Sequence, residues 1–177
     1  DGDTISYSYA WRKNGAATGI TRSTISASPP TKGETWTVIV TPNDGHQDGA
    51  TASDWVDIGN TAPTLSSASI TPTTAYTETT LTAVSSGYFD DDGDAAAYRY
   101  QWYKGGVAIS GATDVTLTGT NFSKGETLYV QVTPWDGTSA GTTVSSGSIT
   151  IQNSAPVTPT VNVTPDSPER EDSLTCS

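Results

Sequence analysis

Hydrophobic and polar residues alternate along most of this chain, in short segments separated by turn residues. Tyr98, Tyr100 and Trp102 alternate with three other residues over 98–103, so the three aromatic side chains share one face of an extended strand. Residues 128–132 repeat this alternation with Leu and Val. Each of these two segments therefore predicts a strand with one buried and one solvated face.

The same pattern predicts seven strands in the central part of the chain, with no segment of helical periodicity. They are expected at 65–71, 78–85, 98–103, 107–109, 115–117, 128–132 and 149–151, and turns are expected at 104–106, 124–125 and 134–137. Short strands at this spacing are typical of two antiparallel sheets packed face to face. The fold class predicted is all-β.

The chain contains an internal repeat with a period of about 92 residues. The segment that starts at Asp1 recurs from Asp92, Lys32-Gly-Glu recurs at Lys124, and Asn60-x-Ala-Pro recurs at Asn153. This period is the length of one small β domain rather than of a solenoid coil. We expect two domain-equivalents: repeat 1 (1–60), which lacks its first two strands, repeat 2 (61–154), which is complete, and segment 3 (155–177), which holds the first two strands of a further repeat.

This division splits one domain between the two ends of the chain. A sandwich without two of its strands would expose a sheet edge and half of its core. We therefore expect either that the polypeptide continues in both directions or that neighbouring copies complete each other head to tail by strand addition.

Composition restricts the partners of the protein. The net charge is −11 and the calculated pI is about 4.1, which argues against nucleic acid or an anionic membrane as a partner. No apolar segment is long enough for membrane insertion, and five Trp and eight Tyr give each small domain a core to bury. An exported protein with a solvated, acidic surface fits these observations.

An acidic loop is the strongest chemical feature of the sequence. Asp90, Asp91, Asp92 and Asp94 lie within five residues around Gly93, and Asp1 and Asp3 are the matching residues of repeat 1. Hard cations prefer several oxygen ligands, and clustered carboxylates repel each other without a cation. The loop therefore predicts a Ca²⁺ site, with a solvated acidic turn as the alternative.

The chain resembles an immunoglobulin-like domain over nearly its whole length. The resemblance rests on Tyr100-Gln-Trp-Tyr-Lys-Gly-Gly-x-x-Ile109, on Leu128-x-Val130, on the Asp-rich loop and on the Val-Thr-Pro-x-Asp-Gly turn. It is similar, more narrowly, to the tandem Ig-like repeats of long bacterial and archaeal cell-surface proteins. The resemblance implies tandem Ig-like β-sandwiches and a structural or binding role.

The Ig-like arrangement has two further implications for the site. The acidic loop would lie at the same end of the domain as the turn that carries Asp136 in repeat 2 and Asp44 in repeat 1, next to the linker with Asn60. A bound calcium ion would then stiffen the joint between domains, as in cadherin-like arrays.

The Ig-like pattern also concerns the single cysteine. The positions of the usual inter-sheet disulfide are held by Ala83 and Val130 in repeat 2, and Cys176 matches Ala83 in segment 3. Cys176 is therefore a disulfide candidate with a partner beyond residue 177. A buried reduced thiol and an intermolecular disulfide are the alternatives.

Two tryptophans and two asparagines are candidates for contacts between domains or fibres. Trp135 is expected in a turn, where it would pack at the joint, bind a glycan or be exposed. Trp55 is expected to point outward as a lateral contact, with Val56 inward. Tyr7, Tyr9 and Trp11 alternate in repeat 1 as Tyr98, Tyr100 and Trp102 do in repeat 2, so they are expected to be core residues as well. Asn60 and Asn153 occupy matching places in the two linkers.

The sequence gives no support for catalysis. His46 has no counterpart in repeat 2, where Thr138 stands, and neither a nucleophile elbow nor a zinc spacing occurs. Two sequons, at Asn121 and Asn162, would accept N-glycans. We predict a structural extracellular protein of the cell surface, not an enzyme: a stalk or filament of tandem Ig-like domains with copies of itself as neighbours. The alternative is an adhesin-type module that presents loops to a glycan or a cell surface.

Overall fold

A computed structural model describes residues 2–25 and 30–177 of the chain, and these residues form an all-β structure. The one helical element in this part is a single 3-10 turn at Gly119–Asn121. The fold class predicted from the alternation is confirmed.

Repeat 1 forms a single antiparallel sheet among its described residues. Its strands are β1 (Ser6–Lys13), β2 (Ala16–Ala17), β3 (Thr35–Asn43) and β4 (Ala52–Asp57). The strand order is β2-β1-β3-β4.

Repeat 2 forms two sheets packed face to face. Its strands are β5 (Thr64–Thr71), β6 (Ala75–Tyr76), β7 (Leu81–Phe89), β8 (Ala97–Lys104), β9 (Val107–Ala108), β10 (Thr116–Leu117), β11 (Thr127–Trp135), β12 (Val144–Ser145) and β13 (Ile149–Gln152). One sheet has the order β10-β7-β5 and the other β6-β13-β11-β8-β9, with β12 beside β11. This is the arrangement of an immunoglobulin-like sandwich.

The core of repeat 2 lies between these sheets and follows the alternation of the sequence. Trp102 pairs with Val130 across β8 and β11, and both side chains are completely buried. Ala83, on the opposite sheet, is buried as well. Apolar packing therefore fills the positions that the resemblance assigns to a disulfide.

Two predicted strands differ from the structure, and two short strands were not predicted. The second strand, expected at 78–85, lies at Leu81–Phe89, because Thr79 closes a turn in which its hydroxyl accepts a hydrogen bond from the Tyr76 N–H (2.9 Å). The strand expected at 128–132 extends to Trp135, so the turn expected from residue 134 begins two residues later, at Asp136. The two unpredicted strands are β6 and β12, since two residues are too few to show a period.

The aromatic face of repeat 1 is more exposed than the alternation suggests. Tyr7 is 59% exposed and Val56 is 53% exposed, although both point to the same side as the buried Trp36. The expected burial of Tyr7 and Val56 is wrong for this structure, because no second sheet covers this face among the described residues. We call this surface, formed by Tyr7, Tyr9, Trp11, Val38, Val40 and Val56, the inner face of repeat 1.

Segment 3 forms a small antiparallel hairpin of β14 (Val163–Thr164) and β15 (Thr175–Cys176). Val163 pairs with Cys176 as Ile70 pairs with Ala83 in repeat 2. The two strands predicted for a further repeat thus form with the register of β5 and β7.

Candidate inter-repeat joint

Several of the predicted site residues meet where repeat 1 adjoins repeat 2, namely Asn60, Asp90, Asp92, Asp94 and Asp136. The Lys32-Gly-Glu turn lies beside the end of repeat 1, because the Gly33 N–H donates to the Ile58 carbonyl (2.9 Å) and the Ile58 N–H to the Glu34 carbonyl (2.8 Å). Gly33 has a φ of 82°, a conformation that glycine adopts at little cost. This turn directs the Lys32 side chain toward repeat 2.

The Lys32 ammonium group connects the two repeats. It forms an ion pair with Asp94 of the acidic loop and donates a hydrogen bond to Asn60 Oδ1 (2.9 Å). The hydrogen bond to Asp94 is the main cause that raises the pKa of Lys32 above its usual value, against a smaller opposing effect of burial. A protonated lysine therefore faces the acidic loop at neutral pH.

Asn60 holds the linker to the turn after β11. Its Nδ2 donates to Asp136 Oδ2 (2.7 Å), while Asp136 Oδ1 accepts the N–H groups of Thr138 (2.6 Å) and Ser139 (2.5 Å). Burial is the largest single effect and acts to raise the pKa of Asp136, but these three hydrogen bonds and the charge of Lys32 together outweigh it, so the pKa is lowered. Asp136 is therefore an ionised carboxylate with both oxygens engaged, nine-tenths buried at the joint.

The acidic loop is organised by Asp90 and contacts the linker through Asp92. Asp90 Oδ1 accepts the N–H groups of Asp92 (2.8 Å) and Asp94 (3.3 Å), which is an Asx-type turn. Asp92 Oδ2 accepts the N–H of Thr61 (2.6 Å). The loop thus hydrogen-bonds the first residue of repeat 2.

Three of the predicted metal ligands converge. One carboxylate oxygen each of Asp90, Asp94 and Asp136 lies within 4.8 Å of the others. Asp90 Oδ2 is buried without a hydrogen-bond partner, and so is the nearby Tyr88 hydroxyl. Oxygen donors at this spacing can hold a hard cation, and the Lys32 ammonium already contacts one of the three carboxylates.

The other predicted ligands do not join this triad. Asp91 is exposed, and Asp92 is engaged with the linker. Asp44 Oδ1 accepts the N–H groups of His46 and Gln47 (2.8 Å each), and Asp3 is exposed in repeat 1. Asp1 lies outside the described residues.

The linker itself is packed tightly against repeat 2. Pro63 is completely buried, and a Cβ placed on Gly141 would lie 1.8 Å from the Pro63 carbonyl oxygen and 2.9 Å from Pro134 Cγ. Position 141 therefore requires glycine for the linker to occupy this place.

At the far end of repeat 2, a lysine and an asparagine make the same contact with each other as Lys32 and Asn60 make at the end of repeat 1. Lys124 Nζ donates to Asn153 Oδ1 (3.0 Å), and Asn153 Nδ2 to the Ser154 carbonyl (3.0 Å). Asn60 Nδ2 makes the corresponding bond with the Thr61 carbonyl (3.1 Å). The matching linker residues Asn60 and Asn153 thus have matching geometry.

Of the two candidate tryptophans, Trp135 is half-buried and Trp55 is exposed. Trp135 is the last residue of β11 rather than part of a turn, and the Arg99 guanidinium lies 3.7 Å from the centre of its ring. Trp55 is 64% exposed on β4. Whether either residue makes a domain or fibre contact stays a prediction.

Cys176 and the first sequon residue Asn162 are exposed, and the other sequon residue, Asn121, is half-buried. Cys176 is a free, exposed thiol at the end of β15. Asn162 is exposed, whereas Asn121 belongs to the 3-10 turn and its amide donates to the Thr118 carbonyl (3.3 Å).

Sequence reasoning missed Lys32 and Thr61. Lys32 was assigned only to a turn, although the Lys-Gly-Glu sequence occurs in both repeats. The recurrence of a lysine beside a recurring acidic loop could have identified it. Thr61 uses its backbone N–H, for which the sequence offers no indication.

No protein-family model and no curated protein matches this chain. Among solved structures, a two-domain fibronectin type III segment of chicken tenascin has a TM-score of 0.45 at 12% identity, over 85% of this chain and 86% of that one. The FN1–FN3 domains of chicken CNTN1 have a TM-score of 0.40 at 10% identity, over 86% of this chain and 58% of that one. Among the described residues, no helix is long and apolar enough to cross a membrane.

Proposed function

We propose that the protein is a structural element of an extracellular stalk or filament, in which Ig-like domains follow one another through stiff joints. The observation that carries this proposal is the joint between repeats 1 and 2. An ion pair (Lys32–Asp94) and two hydrogen bonds (Asn60–Asp136 and Thr61–Asp92) connect the end of one repeat and the linker to the two loops of the next.

A joint of this kind fixes the angle between domains. A flexible linker would leave domains free to reorient, which is the default for small polar interfaces. Here the linker between Asn60 and Pro63 is held at both ends, by Asp136 and by the close approach to Gly141. The mechanical role follows from this restriction, since a chain of fixed joints transmits orientation over its whole length.

The joint is tested by measuring the mobility of repeat 1 relative to repeat 2. Residual dipolar couplings and small-angle X-ray scattering of the chain should give one interdomain orientation. The variant Asn60→Ala/Lys32→Met should give a broad distribution, while Lys124→Met, at the matching position away from this joint, should leave the orientation unchanged. A broad distribution in the unaltered chain would overturn the proposal.

We also propose that Ca²⁺ binds at this joint, at the triad of Asp90, Asp94 and Asp136. The buried Asp90 Oδ2 without a partner supports this assignment, as do the three converging oxygens. The ion would balance the carboxylates that the single charge of Lys32 leaves uncompensated. It would then hold the acidic loop and the turn after β11 together next to the linker.

The adhesin alternative requires aromatic residues that are clustered and open at a loop tip. Trp135, its main candidate, ends a strand and is covered by Arg99. Tyr103 and Tyr129 stack on each other at 4.7 Å, and the Tyr103 hydroxyl donates to Gln131 (2.9 Å). These contacts satisfy the side chains within repeat 2, and they favour the structural role over an adhesive one.

A further inference from the structure

The turn at 31–34 carries Lys32, and the carboxylate of Glu34 closes this turn. The Glu34 N–H donates to the Thr31 carbonyl (3.2 Å), and the Thr31 N–H donates back to Glu34 Oε2 (3.1 Å). The Thr31 hydroxyl donates to Glu34 Oε1. Lys32 lies between these two residues, so the closed turn sets the direction in which its side chain leaves the backbone.

Two further donors fix the Glu34 carboxylate to the sheet of repeat 1. Lys13, on β1, donates to Oε1 (2.8 Å), and the indole N–H of Trp36, on β3, donates to Oε2 (2.9 Å). Trp36 is buried, and the Glu34 side chain is only 12% exposed. The hydrogen bonds from Lys13, Thr31 and Trp36 lower the pKa of Glu34 to about 2, so the carboxylate is ionised and held in place at neutral pH.

The backbone of Glu34 also holds the segment that leads into the joint. Its carbonyl accepts the Ile58 N–H (2.8 Å). Asn60 follows two residues later, where it accepts a hydrogen bond from Lys32 (2.9 Å) and donates one to Asp136 (2.7 Å). The two side chains that meet the loops of repeat 2, Lys32 and Asn60, therefore both start beside backbone that Glu34 holds.

The ion pair across the joint cannot supply this order by itself. Both of its partners, Lys32 and Asp94, are partly exposed, and an ion pair in that setting is weak because solvent screens it. A lysine side chain also loses much rotamer freedom when it is fixed. The direction of Lys32 must therefore be set by contacts inside repeat 1.

We propose that Glu34 is the positioning residue of the joint, because its carboxylate fixes the turn at 31–34 and thereby aims the Lys32 ammonium group at Asp94 and Asn60. This inference rests on the proposed function and names the residue that sets the orientation of repeat 1. Since the Glu34 carboxylate is bonded to both β1 and β3, the direction of Lys32 follows the sheet of repeat 1.

The matching glutamate of repeat 2, Glu126, makes contacts of the same kind. Its N–H donates to the Ser123 carbonyl (3.2 Å), and its carboxylate accepts the Ser123 N–H (2.7 Å) and pairs with Lys104 (3.4 Å). Lys124 lies in the turn that Glu126 closes and donates to Asn153. A glutamate thus accompanies the turn lysine in both repeats, and Glu126 is a matched control away from the joint.

Glu34→Gln tests the assignment with little change in side-chain size. The groups that face the carboxylate all act as donors, and a glutamine amide has only one acceptor oxygen, so its NH₂ group would face donors. Residual dipolar couplings in a Ca²⁺-free buffer should give one alignment tensor for both repeats of the unaltered chain. In Glu34→Gln the two repeats should give tensors of different magnitude, and nitrogen relaxation should show a more mobile Lys32 ammonium group.

Two controls separate positioning from stability. Glu126→Gln makes the same change in the matching turn of repeat 2 and should leave the orientation of repeats 1 and 2 unaltered. Val40→Ala removes apolar atoms from β3 where Val40 pairs with Tyr9 and Ala52. It should destabilise repeat 1, because packing is lost, but both repeats should keep a single tensor.

If Glu34→Gln does not fold, Thr31→Val replaces it, because it removes only the hydroxyl that donates to Glu34 Oε1, and it should change the couplings in the same direction. A single tensor that persists in Glu34→Gln, or in Thr31→Val where that variant replaces it, overturns this inference and leaves the proposed function intact. Tensors that differ as much in Val40→Ala as in Glu34→Gln overturn it as well. Different tensors in the unaltered chain would overturn the proposed function, and this inference with it.

Discussion

Lys32 of repeat 1 and Asp94 of repeat 2 form an ion pair across the joint, although 62 residues separate them in sequence. Both side chains are about one-third to one-quarter exposed. A pair of this kind contributes little to stability, because solvent screens it and ordering two side chains costs entropy. Its contribution is instead to orientation, since it fixes repeat 1 against the acidic loop.

The first prediction concerns the coupling of this ion pair. In a double-mutant cycle, Lys32→Met and Asp94→Asn should together cost less than the sum of their separate costs, because either change alone breaks the pair. The coupling measured by chemical denaturation should fall between 50 mM and 1 M salt as screening increases. Additive effects at low salt would contradict the ion pair.

The second prediction concerns the approach of the linker to repeat 2. Gly141→Ala should destabilise repeat 2 by about 1–3 kcal/mol, the usual cost of overpacking, because its Cβ would meet the Pro63 carbonyl at 1.8 Å. The matched variant Gly49→Ala should cost clearly less, since the nearest atom is the side chain of Pro42 at 3.0 Å. Thermal unfolding of both variants gives the comparison. Equal losses would mean that Pro63 does not occupy the described position.

Much of repeat 2 follows from the sequence. The strict alternation at 98–103 placed Trp102 in the core, and the recurrence of Asn60 as Asn153 located both linkers. The acidic loop was also identified, but the sequence does not show which carboxylates converge. Asp90, Asp94 and Asp136 meet, whereas Asp92 turns to the Thr61 N–H, and this selection depends on the three-dimensional course of the linker.

The exposed inner face of repeat 1 shows that burial cannot be predicted from the pattern of a single strand. Alternation indicates which side of a strand is apolar, and Tyr7 and Val56 were assigned to that side correctly. Burial, however, depends on what lies opposite, and pattern within one strand contains no information about a covering sheet. Short elements such as β6 are missed for a related reason, because two residues form a strand only when a neighbour such as β13 offers hydrogen bonds.

The third prediction concerns the pH dependence of repeat 1. Glu34 accepts hydrogen bonds from Lys13 (2.8 Å), the Thr31 hydroxyl and Trp36 (2.9 Å), and these lower its pKa from the usual 4.5 to about 2. A lowered pKa means that the folded state favours the ionised form. The stability from Glu34 is therefore fully present above pH 4.5 and is lost as the pH falls toward 2.

Denaturation of the chain and of Glu34→Gln between pH 7 and pH 2 measures this contribution. The variant should be less stable at pH 7, and the difference should shrink as the pH falls. Glu171→Gln, a change of equal charge at an exposed position of segment 3, controls for the loss of one negative charge. A difference between the chain and Glu34→Gln that is constant down to pH 2 would contradict the assignment.

The last prediction concerns calcium at the joint. If Ca²⁺ binds the triad, a concentration one hundred times the Kd should stabilise the chain by about 2.7 kcal/mol, seen as a rise in Tm. Asp90→Asn should abolish this rise, because Asp90 supplies the buried oxygen that has no other partner. Asp91→Asn removes a neighbouring carboxylate that lies outside the triad, so it should leave most of the rise in place.

The variant Lys32→Met tests whether the lysine ammonium group and Ca²⁺ compete for the triad. If the ammonium competes with Ca²⁺ for Asp94, this variant should bind Ca²⁺ more tightly in calorimetry. An unchanged Tm in the unaltered chain together with no binding heat in Lys32→Met would show that the triad does not bind Ca²⁺.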